Sequence, residues 1–262
     1  MNACTHYSTK CCFLSTAFQN SLAYNGGMGM KREAAKHIAD ETRNSYDNMA
    51  REFSDSRARF WDELAFLSLE IKAGDHVLDM GCGNGRFAPL VIARGASYAG
   101  VDYSRGLITE AQRKFPEQAF TVGDATALPF PDSSFDIVFS FAVVHHIPSK
   151  AMRKQFIAEA FRAIRPGGKF IFTAWDLWSP QYMGKIVVSA LSSLLGKDNL
   201  DAGDAMLTFG KQKHPRYVHA CTMRELCRML AEAGFHVISS ERIARKSGQK
   251  NIVIVAQRPV TK

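Results

Sequence analysis

Val77-Leu78-Asp79-Met80-Gly81-Cys82-Gly83-Asn84-Gly85 decides the fold of this chain. The apolar run reads as a β-strand and the glycines as a tight turn into a helix, while the next strand ends Tyr98-Ala99-Gly100-Val101-Asp102-Tyr103. A strand, a loop whose backbone lets a ligand come close, and a carboxylate at the tip of the neighbouring strand form a nucleoside-cofactor site. A dinucleotide fingerprint would read G-x-G-x-x-G. Here the third glycine comes one position early, at Gly85, and Arg86 stands where the last glycine would be, leaving little room for a pyrophosphate on the helix N-terminus. A nicotinamide-dependent oxidoreductase is disfavoured on that ground.

Working outward, the chain alternates helix and strand signals as a doubly wound sheet should. Helical patterns cover about Glu33–Met49 and Arg57–Leu69. Strands are expected at about His76–Met80, Tyr98–Asp102, Ala119–Val122, Phe135–Ser140 and Lys169–Ala174, with helices between them. Lys150–Ile164 is the clearest helix, with one apolar and one basic face, and Arg165-Pro166-Gly167-Gly168 stops it and turns the chain into the next strand. A second such helix, Thr222–Ala233, precedes the strand Phe235–Glu241, a loop Arg242–Lys250 and the strand Asn251–Ala256, a terminal hairpin that makes the edge of the sheet antiparallel. Ile186–Leu195, at about ten apolar-rich residues, is too short to span a bilayer. It is expected as a lid helix over the active site, with Ile186, Val187, Ala190, Leu191 and Leu194 facing inward, or less readily as a contact for a lipid-like substrate.

With 262 residues, 46% hydrophobic and 22% charged, the chain can bury one enzyme-sized core. The net charge of +8 suits an anionic partner without identifying one. Cys4, Cys11, Cys12, Cys82, Cys221 and Cys227 have neither CxxC spacing nor a matching histidine cluster, which points to reduced thiols in a cytoplasmic protein and to no metal site. Residues 1–30 lack any period and read as a disordered tail. Alternatively translation starts at Met28 or Met30, since Gly26-Gly27 could be encoded by a purine-rich ribosome-binding sequence; intact mass of the native protein decides this. The remainder, 31–262, reads as one domain with a lid insertion at about 176–220.

The G-x-G-x-G turn after an acid, with a second acid ending the next strand, resembles motifs I and II of the class I S-adenosylmethionine-dependent methyltransferases. Gly123-Asp124-Ala125, followed by Leu128-Pro129-Phe130-Pro131, is similar to that family's motif III, although a helix cap would explain Gly-Asp-Ala taken alone. Asp102-Tyr103-Ser104 with Leu107 and Ala111 resembles its D-x-S-x-x-L-x-x-A run, and Phe135–Ser140 with the Arg165–Gly168 turn completes the pattern over about half the chain. The resemblance implies an α/β, Rossmann-like fold: a seven-stranded, mostly parallel sheet with a C-terminal antiparallel hairpin. It implies S-adenosyl-L-methionine as cofactor, with the glycine turn against its methionine part, Asp102 accepting both ribose hydroxyls and Asp124 the adenine amino group. The cofactor-binding set it implies is Tyr46, Arg57, Asp79, Gly81, Cys82, Gly83, Asn84, Gly85, Asp102, Tyr103, Ser104, Asp124, Ala125 and Phe141.

Fold and cofactor do not fix the acceptor. The segments beyond strands four and five are Phe141-Ala142-Val143-Val144-His145-His146-Ile147-Pro148 and Trp175-Asp176-Leu177-Trp178. His145 and His146 are candidates for a general base, against cofactor packing or helix capping, and Trp175 for stacking on a base or the cofactor, against core packing. Ala142–His146, Trp175 and His214-Pro215-Arg216-Tyr217-Val218-His219 resemble the transfer-RNA wobble-uridine carboxymethyl methyltransferases. So does Tyr46-Asp47-Asn48-Met49-Ala50-Arg51-Glu52-Phe53-Ser54 with Arg57. A departure is Lys250-Asn251-Ile252, where members often carry tryptophan before the last strand.

That narrower resemblance implies tRNA as partner, esterification of 5-carboxymethyluridine, and a possible small activating protein. The acceptor side would use His146, Trp175, Arg216, Tyr217 and His219. Arg57 would meet a carboxylate of the cofactor and Arg216 one of the substrate, while Tyr217 and His219 would contact the splayed-out base or adjoining phosphates. Lys211, Lys213, Arg242, Arg245, Lys246 and Lys250 would form a phosphate track, or simply a solvated face. The runner-up is a small-molecule methyltransferase acting on a quinone, lipid or other metabolite, followed by a non-catalytic cofactor-binding subunit.

Overall fold

A computed structural model describes residues 30–194, 200–209, 213–246 and 248–260. The expectations for residues 1–29, for Lys211, and for the side chains of Ala190, Leu191 and Leu194 lie outside the described residues. The chain opens with helices α1 (Arg32–Asn48) and α2 (Ala50–Ser56) and a 3₁₀ segment Asp62–Glu70. It continues through β1 (His76–Met80), α3 (Ala88–Ile92), β2 (Ser97–Asp102), α4 (Arg105–Lys114), β3 (Ala119–Val122) and β4 (Phe135–Phe141). A short 3₁₀ turn, Val144–His146, leads to α5 (Lys150–Ala163), β5 (Ile164–Trp175), α6 (Pro180–Leu194), β6 (Asp204–Phe209), β7 (His214–His219), α7 (Met223–Glu232), β8 (His236–Ala244) and β9 (Lys250–Gln257).

Seven strands form one sheet in the order β3-β2-β1-β4-β5-β9-β8, parallel except for β9. The chain walks from β1 to one edge and returns to β4 on β1's other side, so a crevice opens beyond the carboxyl ends of β1 and β4. Strand alternation divides the core between the two sheet faces. Leu78, Met80, Val138, Phe170, Phe172 and Ile254 pack with α5 and α7 on one side, and Val77, Ile137, Phe139, Ile171 and Val255 with α3 and the first 3₁₀ segment on the other.

Three local readings are corrected. The second expected helix, Arg57–Leu69, does not form as an α-helix: α2 stops just before it at Ser56 and the expected span holds the 3₁₀ segment from Asp62, because Phe60 leaves the helical path to pack on Phe87 and Phe141, at 5.0 and 4.7 Å between ring centres. Arg165–Gly168 is an irregularity within β5, not a turn before it, and Gly168 is needed there because a Cβ would lie 2.5 Å from the Asp136 carbonyl oxygen. The terminal hairpin is present as expected and makes the edge pairing antiparallel, with β9 between β5 and β8. Finally, β6 and β7 form a separate two-stranded sheet, on which Ile186 of α6 packs with Leu177, Ala205, Leu207 and Val218. Val187, expected inward, is exposed, and no described side chain of α6 lines the crevice.

Candidate functional site

The crevice is a cavity of about 190 Å³ closed from above by α1, through Ala39, Thr42, Arg43 and Tyr46. Its floor is the glycine loop. Gly81 and Gly83 have φ of +83° and +56°, and a Cβ on Gly81 would fall 2.3 Å from Val143, so only glycine allows this close passage of backbone beneath the cavity. Asn84 ties the loop to the end of α2 by donating from Nδ2 to the Arg57 carbonyl at 3.1 Å. Gly85 serves the turn alone. Its φ is +73°, its amide donates to the Cys82 carbonyl, a Cβ would meet Phe120 at 2.7 Å, and it does not line the cavity.

Three carboxylates face the cavity from the tips of successive strands. Asp102 Oδ2 accepts the Gly83 amide at 2.8 Å and Oδ1 the Ser104 amide at 2.9 Å, leaving each oxygen a lone pair for a diol. Burial pushes its carboxyl up to about 6. Burial raises Asp79 further, to about 7, although Tyr98 donates to its Oδ2 at 3.0 Å. Asp124 is held by the amide and hydroxyl of Thr126 at 2.7 and 2.8 Å. Ser104 caps α4 and donates to Asp47 at 2.6 Å, while Tyr103 donates to Asp40 at 2.8 Å, so both pin α1 over the site. Burial pushes the Cys82 thiol well up, which leaves it inert. This donor set fits S-adenosylmethionine: acceptors for a ribose diol, an adenine amine and an α-ammonium, around a backbone cradle that a Cβ would fill.

The far end is built by β5, the His145-His146 turn and β7. His146 Nδ1 lies 2.8 Å from the Tyr217 carbonyl, so it carries the proton and donates; Nε2 then accepts from the Tyr46 hydroxyl at 3.2 Å. Burial, with Arg216 nearby, lowers its imidazolium to about 3. In this arrangement His146 positions Tyr46, with its lone pair engaged by the hydroxyl. His145 does not reach the cavity: it is fully buried, its Nδ1 accepts the Trp175 amide at 3.3 Å, and burial keeps it neutral. Trp175 lines the cavity with its ring already engaged, His145 stacked at 4.6 Å and the Arg216 guanidinium 4.5 Å above it, while its indole N–H is buried without a partner among the described residues.

Arg216 lines the cavity but Tyr217 and His219 do not. Successive residues of a strand point to opposite faces, and β7 turns Tyr217 and His219 away to Asp204, each at 2.6 Å. His219 also meets Glu225 at 3.2 Å. Burial and Arg153 oppose its protonation, but the two carboxylates prevail and raise its pKa. His219, Cys221 and Glu225 could together hold a metal ion, their ligand atoms lying within 4.8 Å of one another, but Arg153 stands 3.7 Å from Glu225. The expected phosphate track is partly spent. Arg242 pairs with Asp176 at 2.8 Å and Lys246 with Asp62 at 2.6 Å.

Residues that sequence reasoning missed include Phe60, Trp61 and Arg86 in the cavity wall, together with Ala39, Thr42 and Arg43 on the inner face of α1, where only Tyr46 was expected. The i, i+3, i+4, i+7 spacing of Ala39, Thr42, Arg43 and Tyr46 was the available signal. Among the described residues no helix is long and apolar enough to cross a membrane.

A family model described as "Methyltransferase domain" matches residues 78–172. An Encephalitozoon cuniculi protein named as a methyltransferase is 32% identical over 198 residues, covering 74% of this chain and 86% of its own length. The Arabidopsis thaliana tRNA (carboxymethyluridine(34)-5-O)-methyltransferase is 35% identical over 130 residues, 50% of this chain but only 31% of that protein. The demethylmenaquinone methyltransferase of Beutenbergia cavernae is 32% identical over 144 residues, 54% of this chain and 58% of its own. Among solved structures, the Haloferax volcanii methyltransferase complex with its Trm112 activator has a chain that superposes with a TM-score of 0.62 at 20% identity, covering 84% of this chain and 99% of that one.

Proposed function

This chain belongs to the S-adenosylmethionine-dependent methyltransferases, and from that membership we propose that its acceptor is the carboxymethyl group on the wobble uridine of a tRNA, converted to its methyl ester. The observation that carries the reading is the chemistry of the acceptor end. A guanidinium, Arg216, is fixed there over Trp175, and the histidine that lines the cavity has its lone pair engaged by Tyr46. That arrangement suits an acceptor already ionised at neutral pH. When bound, the cofactor supplies an electrophilic methyl group on sulfonium sulfur. The chain's own residues then align the acceptor oxygen and exclude water, and no proton has to be removed. Arg216 would grip the acceptor carboxylate and the Trp175 indole N–H would offer a further donor.

Similarity to the Arabidopsis enzyme supports the nucleoside, and the net charge of +8 is in keeping with a polyanionic partner. A small activating subunit is part of the proposal, since the Haloferax neighbour was solved with one. A second reading, a quinone or other lipid-like acceptor, is favoured by similarity to the Beutenbergia enzyme and by the exposed Met183, Val187, Val188 and Met206 around α6 and β6.

The test is transfer of labelled methyl from S-adenosylmethionine to total tRNA lacking wobble-uridine methyl esters, with the product exposed to alkali. Alkali-labile label in tRNA is expected. No label despite demonstrated cofactor binding, with or without an added activator, would transfer the weight to the small-molecule acceptor.

A further inference from the structure

Arg86 directly follows the glycine loop and lines the cavity, yet none of the roles assigned above uses it. Its guanidinium lies 3.8 Å from the centre of the Trp61 ring, and Arg245 stands over the same ring at 4.9 Å. The bracing is firm, since Trp61 adjoins Phe60, which packs on Phe87 and Phe141. Among the described residues no carboxylate approaches Arg86 within ion-pair distance and no hydrogen bond reaches its guanidinium. Burial lowers its pKa to about 10, with Arg57 and Arg245 acting in the same direction and Asp79 against them. A half-buried cation without an anion in ion-pair reach is an arrangement that an incoming anion relieves.

We propose that Arg86, braced by Trp61, is the residue that pairs with the α-carboxylate of the cofactor's methionine end. The cavity sorts its charges along its length. Asp102 and Asp124 stand at the tips of β2 and just past β3, whereas Asp79 and Arg86 bracket the glycine loop at the end of β1 and present opposite charges to one place. An amino-acid zwitterion carries the complementary pair, an ammonium for Asp79 and a carboxylate for Arg86, and a planar guanidinium meets a carboxylate through two parallel hydrogen bonds. Arg216 lies at the other end, over Trp175, which reserves it for the acceptor, whereas Arg57, expected from the sequence to meet the cofactor carboxylate, also lines the cavity close enough to lower the Arg86 pKa, so in this proposal it adds positive charge beside the pair that Arg86 makes. A glycine at position 86 would forfeit this contact, and that accounts chemically for the departure from the dinucleotide fingerprint. The inference rests on the cofactor and not on the tRNA reading.

The experiment needs no acceptor, so it stands whether or not tRNA is methylated. Calorimetric titration of the full chain and of Arg86→Gln, with S-adenosylhomocysteine and with its decarboxylated analogue, reads the contact directly. Expected is a loss of about ten- to a hundredfold in affinity for S-adenosylhomocysteine, the scale of a charge-assisted pair, with affinity for the analogue unchanged. Arg86→Lys should recover part of the loss, and Trp61→Leu, which leaves the charge but removes its brace, should weaken S-adenosylhomocysteine alone. Equal losses for both ligands would make Arg86 a support of the loop only. Unchanged S-adenosylhomocysteine affinity would assign the guanidinium elsewhere; either result overturns the proposal. Should Arg86→Gln fail to fold, the Arg86→Lys and Trp61→Leu pair decides by the same contrast between the two ligands.

Discussion

The two ends of the cavity are built in different ways. At the glycine-loop end, function is written into the backbone: Gly81 and Gly83 stand two residues apart, Asp102 accepts the Gly83 amide, and a single β1-α3-β2 unit delivers all three. At the acceptor end, His146, Trp175 and Arg216 come from three separate elements and are held by contacts between them, the imidazole on a β7 carbonyl and the guanidinium on an indole. The first kind of site depends on local backbone geometry and on a few side chains near the glycine turn in sequence. The second depends on how α6, β6 and β7 seat against the sheet, and its residues separate by strand face as well as by position.

The sharpest way to break this comparison is Arg216→Ala. Turnover on the methyl acceptor should fall by at least about a hundredfold, the cost of a misplaced reactant, while calorimetry finds S-adenosylhomocysteine affinity unchanged. Affinity lost in parallel would mean that the two ends are one site. Asp102→Asn addresses the other end and should weaken S-adenosylhomocysteine by about ten- to a hundredfold, since a charged acceptor is replaced by a neutral one. A variant that binds normally would remove Asp102 from the ribose position.

Acidity sharpens the same contrast. Asp102, pushed up to about 6 by burial, holds its proton more firmly in the folded protein than in the unfolded chain. Its contribution to stability is thus fully present below the unfolded carboxylate value and is lost as pH rises through about 6. A bound diol requires the ionised form, so affinity for S-adenosylhomocysteine should drop about tenfold from pH 7 to pH 5, with Asp79 acting in the same direction. His146, held neutral far below that range, should add nothing. Flat affinity across the interval would show that the Asp102 carboxylate is not where the ligand binds. The smallest effect on chemistry is expected for Tyr217→Phe. Losing the hydroxyl bonded to Asp204 should cost about 1–3 kcal/mol in urea unfolding, with turnover of the folded protein unaltered; a selective loss of turnover would return Tyr217 to the acceptor site.

The cofactor end was legible because its geometry is local. A positive φ needs glycine, a strand tip needs an acid, and both leave a mark within a few residues, so Asp79, Gly81, Gly83, Asp102 and Asp124 were read correctly as neighbours of one cavity. Gly85 was read as a ligand contact for the same reason, and the structure places it at the turn, outside the cavity lining. The acceptor end was legible only in part. Arg216, Tyr217 and His219 lie close in sequence and were grouped as one contact surface, but the hairpin of β6 and β7 places them on opposite faces. Nothing in the spacing of His214–His219 announces that strand, since Pro215 and two histidines carry no apolar alternation. Among the described residues the cavity is covered by α1, for which the helical spacing of Ala39, Thr42, Arg43 and Tyr46 was a signal without a hydrophobic stripe to strengthen it.

The sequence by itself determined the doubly wound sheet and a nucleoside-cofactor site at its carboxyl edge, because each follows from short-range rules: strand periodicity, glycine conformations and acids at strand ends; the motifs' resemblance to a known family then implied S-adenosylmethionine. Only the tertiary structure decided which histidine faces the cavity, which tautomer it holds, that Trp61 braces Arg86, and that Tyr217 and His219 support the fold away from the acceptor. Those outcomes depend on burial and on partners distant in the chain. Tyr46 and His146 are a hundred residues apart, and no local pattern records their meeting.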